Sequence, residues 1–245
     1  MFLNTGLLKT VWCTLGACVI GFAVCIGTAM TADPPGQFCI VSGGWNKLYT
    51  DQGITVYAQR TQKSKVLAFR AEGILNAPID QIMEVLRRVE IADEWMPDAD
   101  GKYVLKEVSD TEAITYSVNR VPFPFADREL VLLNKLRLDR ERQFLVLDIY
   151  SVDYPSMPVK KGMVRARMYC GEMRLRPAGK SQTEVALQLY VDPQGAIPGW
   201  IVNMFQKRLP YNFLRALEKK AGTTNYELRP VYRQILNELA VVSGQ

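Results

Sequence analysis

Side chains able to do covalent or proton-transfer chemistry are scarce in this chain. None of its 245 residues is histidine. That excludes Ser/His/Asp and Cys/His nucleophile arrangements and the histidine-containing metal sites. Of the cysteines, Cys13, Cys18 and Cys25 fall within the first 32 residues, leaving Cys39 and Cys170. Two are too few for a cysteine-rich metal cluster, but they could pair in an oxidising compartment. Acid–base work would fall to carboxylates such as Glu107, Asp148 and Asp153, if buried. No two of these have a spacing that demands such a role, and exposed strand positions account for them. The reading is of no catalytic residue, no metal and no cofactor. The alternative that these residues leave is a carboxylate-based enzyme.

The elements that would have to position any site follow from periodicity. Ile54–Arg60 and Val66–Ile74 alternate as a strand pair around the turn TQKS. Pro78 opens a helix from Ile79 to Val89, whose apolar residues recur at three and four positions. A helical turn around Ala92–Trp95 follows. Six strands come next: Lys102–Ser109, Ala113–Asn119, Arg128–Leu138, Phe144–Ser151, Met163–Leu175 and Thr183–Val191. Their hairpin spacing favours an antiparallel meander. A long helix is predicted from Pro198 to about Ala221, with Val202, Phe205, Leu209 and Phe213 on one side. Glu227–Val242 reads as a short terminal helix that packs outside. This order gives an α+β fold, a curved antiparallel sheet with a long C-terminal helix across its concave face. Such a sheet leaves room for either a ligand or filling side chains.

Between Lys9 and Asp33 the sequence TVWCTLGACVIGFAVCIGTAMTA carries no charge. A basic residue, an apolar core and small residues near Ala29 and Ala32 form the layout of a signal peptide. The stretch is also long enough for a retained membrane anchor, and Leu15-Gly16-Ala17-Cys18 is similar to a lipobox. Each reading exports the domain, to the periplasm or beyond, or holds it on the membrane. Residues 33–44 (DPPGQFCIVSGG) form a Pro/Gly-rich linker. The formal charge of +5 is mild and scattered. It excludes the dense basic patches of nucleic-acid binders and suits brief contact with anionic lipid surfaces.

Several segments together resemble the START (steroidogenic acute regulatory protein-related lipid transfer) family. They are Gly53-Ile-Thr-Val-Tyr57, Trp95-Met-Pro97, the run Val121–Val131 (VPFPFADRELV), Met157–Arg165 (MPVKKGMVR) and Asp192–Asn203 (DPQGAIPGWIVN), spread in order over 45–221. Residues 222–245 then form a C-terminal helical extension. The segments have scaffold readings of their own: Pro122 and Pro124 mark an edge turn, and Pro198 suits a first helical turn. Arg128 could lock the edge turn through Asp127, Glu129 or Asp192.

The resemblance implies a helix-grip (START/Bet v 1-like) fold with one lipid in an internal cavity, carried between membranes. The alternatives it leaves are a helix-grip enzyme acting on an apolar or polycyclic substrate, or a lipid-sensing regulatory module. In sterol-binding members a buried acid and arginine face each other, and those positions fall near Ser117 and Asn134 here. Both are neutral, so the cargo stays broad. The cavity residues expected are Ser117, Asn134, Val202, Phe205, Leu209 and Phe213. Pro210 is expected to kink the long helix as a hinge. The mouth is expected at the loop between the fifth and sixth strands, near Pro122–Phe125, and at that helix. Lys207, Arg208 and Arg215 would rest on headgroups.

Overall fold

The computed structural model describes residues 44–61 and 64–243. The expected leader (1–32), its lipobox, and the linker up to residue 43 lie outside them. Strands β1 (Asn46–Asp51), β2 (Ile54–Arg60) and β3 (Leu67–Leu75) come first, then α1 (Ile79–Arg87) and a 3-10 helix (Val89–Glu94). Next are β4 (Ala99–Ser109), β5 (Glu112–Asn119), β6 (Arg128–Asp139), β7 (Phe144–Ser151), β8 (Val164–Arg165), β9 (Arg167–Pro177) and β10 (Thr183–Asp192). Helices α2 (Gly199–Gln206), α3 (Leu209–Gly222) and α4 (Pro230–Ser243) complete the described chain.

The strands form one curved sheet in the order β1-β2-β3-β10-β9-β7-β6-β5-β4, antiparallel except where β8 runs parallel beside β6. Gln52 and Gly53 both have positive φ, 44° and 79°, and so turn β1 tightly into β2. The expected strand Met163–Leu175 is broken at Ala166 into β8 and β9.

Register decides what each face carries. One row crosses six strands as Val56, Ala71, Leu187, Met173, Leu147 and Leu136, each directly opposite the next. This apolar face meets the helices. One residue along, the other face carries Tyr57, Arg70, Gln188, Glu172, Asp148 and Lys135 in the same succession. The period-2 alternation therefore holds across most of the sheet.

Against the apolar face, α1 sets Ile82, Met83 and Val85, and α3 sets Tyr211, Leu214, Leu217 and Ala221, into the main core. The long helix expected from Pro198 is two helices, parted at Lys207–Arg208, so the interruption expected at Pro210 falls just before it. Pro210 sits in the first turn of α3, where its missing N–H costs nothing. The terminal helix does not pack outside. In α4, Tyr232 and Leu239 are buried in the main core, with Ile235 and Leu236 packed against it.

The segment leading into α4 is strapped to α1. Gln81 Nε2 donates to the Tyr226 carbonyl at 3.1 Å, and the Tyr226 N–H donates to Gln81 Oε1 at 2.8 Å. The Arg229 N–H donates to Glu84 Oε1 at 3.1 Å. Glu84 is fully buried and also pairs with Arg87 at 3.2 Å and Arg88 at 3.6 Å.

Candidate functional site

A cavity of about 180 Å³ lies between α1, the start of α4 and the β4–β7 part of the sheet. Leu136, Leu147 and Leu175 form its floor, and Met83, Leu86 and Tyr232 stand on the helical side. Its exposed lining residues are Glu90 on the 3-10 helix and Val104, Glu107, Ser109 and Asp110 on β4 and the β4–β5 turn, so the opening lies between these. The expected mouth is corrected accordingly. Pro122–Phe125 is not part of the lining, and the β6–β7 turn is tied to α4 instead. Gln143 Nε2 donates to the Val242 carbonyl at 2.7 Å, and Arg140 pairs with Glu238 at 2.6 Å.

Polar and charged side chains share the lining with this apolar floor. Asn134 lines the cavity, as the resemblance implied. Its Nδ2 lies within bonding reach of Thr115 Oγ1 at 3.0 Å, the Leu132 carbonyl at 3.2 Å and the Ala113 carbonyl at 3.3 Å. The amide hydrogens are thus spent on the sheet. Lys102 lines the same cavity, across the β4–β5 ladder from Ser117. Desolvation holds its ammonium down to about 8 from the usual 10.5.

The other expected cavity residues lie elsewhere. Ser117 is buried on the same sheet face but does not line the cavity. Val202 packs in a separate cluster with Val66, Ala68, Cys170 and Tyr190. Phe213 packs against the Trp95 ring, with centroids 5.4 Å apart. Phe205 and Leu209 are 49% and 41% exposed. The break at Lys207–Arg208 accounts for this, because it resets the helical phase on which the Val202–Phe213 stripe was drawn. Lys102, Arg229 and Tyr232 are lining residues that sequence reasoning missed.

The candidate acids do not converge. Asp148 is buried on the opposite sheet face and bonded to Arg137 Nε at 2.6 Å. Asp153 is exposed, 3.7 Å from Arg167. Glu107 alone of the three reaches the cavity, at its rim. Among the described residues no group of three or more cysteines and carboxylates is placed to hold a metal ion. Cys170 is disulfide-bonded, and Cys39, its expected partner, lies outside the described residues.

The motif segments meet one another rather than the cavity. Arg128 donates to the carbonyls of Pro193 (3.0 Å), Gln194 (2.9 Å) and Ala126, not to any of the three carboxylates expected. Glu129, fully buried, pairs with Arg165 at 2.6 Å and accepts from the Tyr116 hydroxyl at 2.7 Å. Burial first, and then that bond to Glu129, push the Tyr116 hydroxyl well above its usual range.

Beyond the Arg128 clamp lies an apolar surface. Trp200 and Met204 of α2 are 69% and 56% exposed, beside the exposed Phe205, Lys207, Arg208 and Leu209. Phe123, on the loop that Arg128 clamps, is 96% exposed. Among the described residues no helix is long and apolar enough to cross a membrane.

Known proteins share this arrangement. The sequence pattern of the START domain matches residues 37–226. An uncharacterized protein of Pseudomonas aeruginosa is 28% identical over 207 residues, covering 84% of this chain and 94% of that protein. The phosphatidylcholine transfer protein of Mus musculus is 26% identical over 184 residues, covering 74% of this chain and 85% of that one. Among solved structures, a STAR-related lipid transfer protein fragment from Xanthomonas axonopodis superposes with a TM-score of 0.66 at 30% identity. It covers 74% of this chain and 100% of its own. With a curved sheet gripping C-terminal helices, and a family pattern spanning most of its length, the chain belongs to the START domain family.

Proposed function

We propose that this protein binds one lipid in the cavity under β4–β7 and carries it between membranes. The observation that carries the reading is an apolar-floored cavity in a fold whose named relatives transfer lipids. At about 180 Å³ the cavity is below the roughly 300–1,000 Å³ of pockets for drug-sized ligands, so uptake requires its walls to part. The α2 surface supports transient membrane contact. Trp200, Met204 and Phe205 would enter the interface while Lys207 and Arg208 meet anionic headgroups. Export is part of the same proposal, and the disulfide at Cys170 supports it, because such bonds persist in oxidising compartments.

A non-catalytic role is part of the same reading, supported by relatives named as lipid transfer proteins and by Asp148 lying on the opposite sheet face, bonded to Arg137. The test is extraction of the protein purified from its own host, with bound molecules identified by mass spectrometry. One lipid per chain is the expected result. A protein that carries none, and takes none from vesicles, would end the carrier reading.

A further inference from the structure

Resting on the lipid-cavity reading, we infer that the cargo carries an acidic group, a phosphate or a carboxylate, and that Lys102 is its counter-ion inside the cavity. Lys102 is half-buried on β4, opposite the buried Ser117 and beside the cavity that Thr115 and Asn134 also line. No hydrogen bond or ion pair holds its ammonium among the described residues. Desolvation alone depresses its proton affinity, and no neighbouring carboxylate offsets it. A buried charge without a partner is costly and is normally paired. The protein thus keeps a cation where its own residues supply no anion.

The other charged groups of the lining do not fill that place. Glu90 is 4.0 Å from Arg88, and Glu112 is 3.7 Å from Lys135. Glu107 and Asp110 are exposed at the opening, five and eight positions along the chain from Lys102. At about 3.3 Å per strand residue, Glu107 is roughly 16 Å away along β4. Arg87 pairs with Glu84, and Arg229 enters from the α4 side of the lining. An oxyanion at Lys102 would meet the ammonium directly, while Leu136, Leu147 and Leu175 receive the attached hydrocarbon.

The experiment compares the full chain with K102M and K102R for uptake from vesicles doped with phosphatidylglycerol, oleate or diacylglycerol. Methionine keeps the length and removes a desolvated charge, so K102M should be no less stable than the wild type. A charge-assisted bond of ordinary strength makes the expected loss in K102M about tenfold or more for the acidic lipids. Diacylglycerol uptake stays unchanged and K102R retains the acidic lipids. Loss for phosphatidylglycerol alone assigns a phosphate, and loss for oleate alone a carboxylate. Equal uptake of acidic lipids by K102M and wild type would overturn the counter-ion and leave the lipid cavity standing. A wild type that takes up only diacylglycerol has the same meaning. No uptake of any lipid would end both readings.

Discussion

Arg128 and Pro193, 65 positions apart, are joined by a 3.0 Å bond from the guanidinium Nε to the proline carbonyl. The same side chain holds Gln194 and Ala126, and Arg128 itself is 5% exposed. It fastens the Pro122–Phe125 loop to the turn that launches α2. Replacement by methionine leaves three carbonyls without this donor. Hydrogen bonds from a charged donor contribute about 1.5–3 kcal/mol, so R128M should lose on the order of 3 kcal/mol. Urea denaturation measures this, and an unchanged midpoint would mean the carbonyls find other donors.

Lys102 makes stability depend on pH in a direction opposite to that of an ion-paired lysine. Its folded-state value, about 8, lies below the unfolded value near 10.5. Below pH 8 both states are protonated, and the folded state carries the whole desolvation penalty. Between those values the unfolded chain holds more protons, so stability rises with pH. Thermal melts of the lipid-free protein should therefore climb from pH 8 toward 10, and K102M should lose that climb. The buried tyrosines are raised, so their effect sets in higher and with opposite sign.

Glu84 tests whether the segment before α4 is held by α1. It is fully buried beneath Arg87 and Arg88 and accepts from the Arg229 N–H. Truncating one partner of a buried pair costs about 3–5 kcal/mol, and E84A should fall in that range. Hydrogen exchange at Arg229 should accelerate more than in β9. Uniform acceleration would point to global rather than local loosening.

The α2 surface should act in membrane binding and not in folding. Replacing Trp200 and Phe205 with serine should leave the denaturation midpoint within about 0.5 kcal/mol, as for other exposed positions. Co-sedimentation with anionic vesicles should drop several-fold. Undiminished binding would place the membrane contact on another face.

The sheet was legible because its strands alternate cleanly and their turns are short. Ile54–Arg60 and Phe144–Ser151 appear with the bounds their pattern suggests. Asn134 could be placed in the cavity only through the family resemblance, and its standing two residues from Leu132 and Leu136 on one face agrees with that. Lys102 could not, because β4 slips register against β5 at three places between Ala99 and Ser109. Each bulge shifts which residues face inward, and no alternation survives to be read. The interruption between α2 and α3 was legible at Pro210, but not its place at Lys207–Arg208, because those two are ordinary helix-forming residues. Arg128 was expected to seek carboxylates. Its real partners are backbone carbonyls, which every residue has and no sequence marks.

Those three slips in β4 also bear on how large the cavity can become. β4 ends the sheet, so β5 is its sole strand neighbour, and it supplies Lys102, Val104 and Glu107 to the cavity. An edge strand with one strand neighbour and an irregular seam can bend outward more readily than the strands paired on both sides. The 180 Å³ enclosed here is then a resting volume set by the weakest seam. Capacity would be bought by bending an edge, and cargo length would be limited by how far that edge can lean.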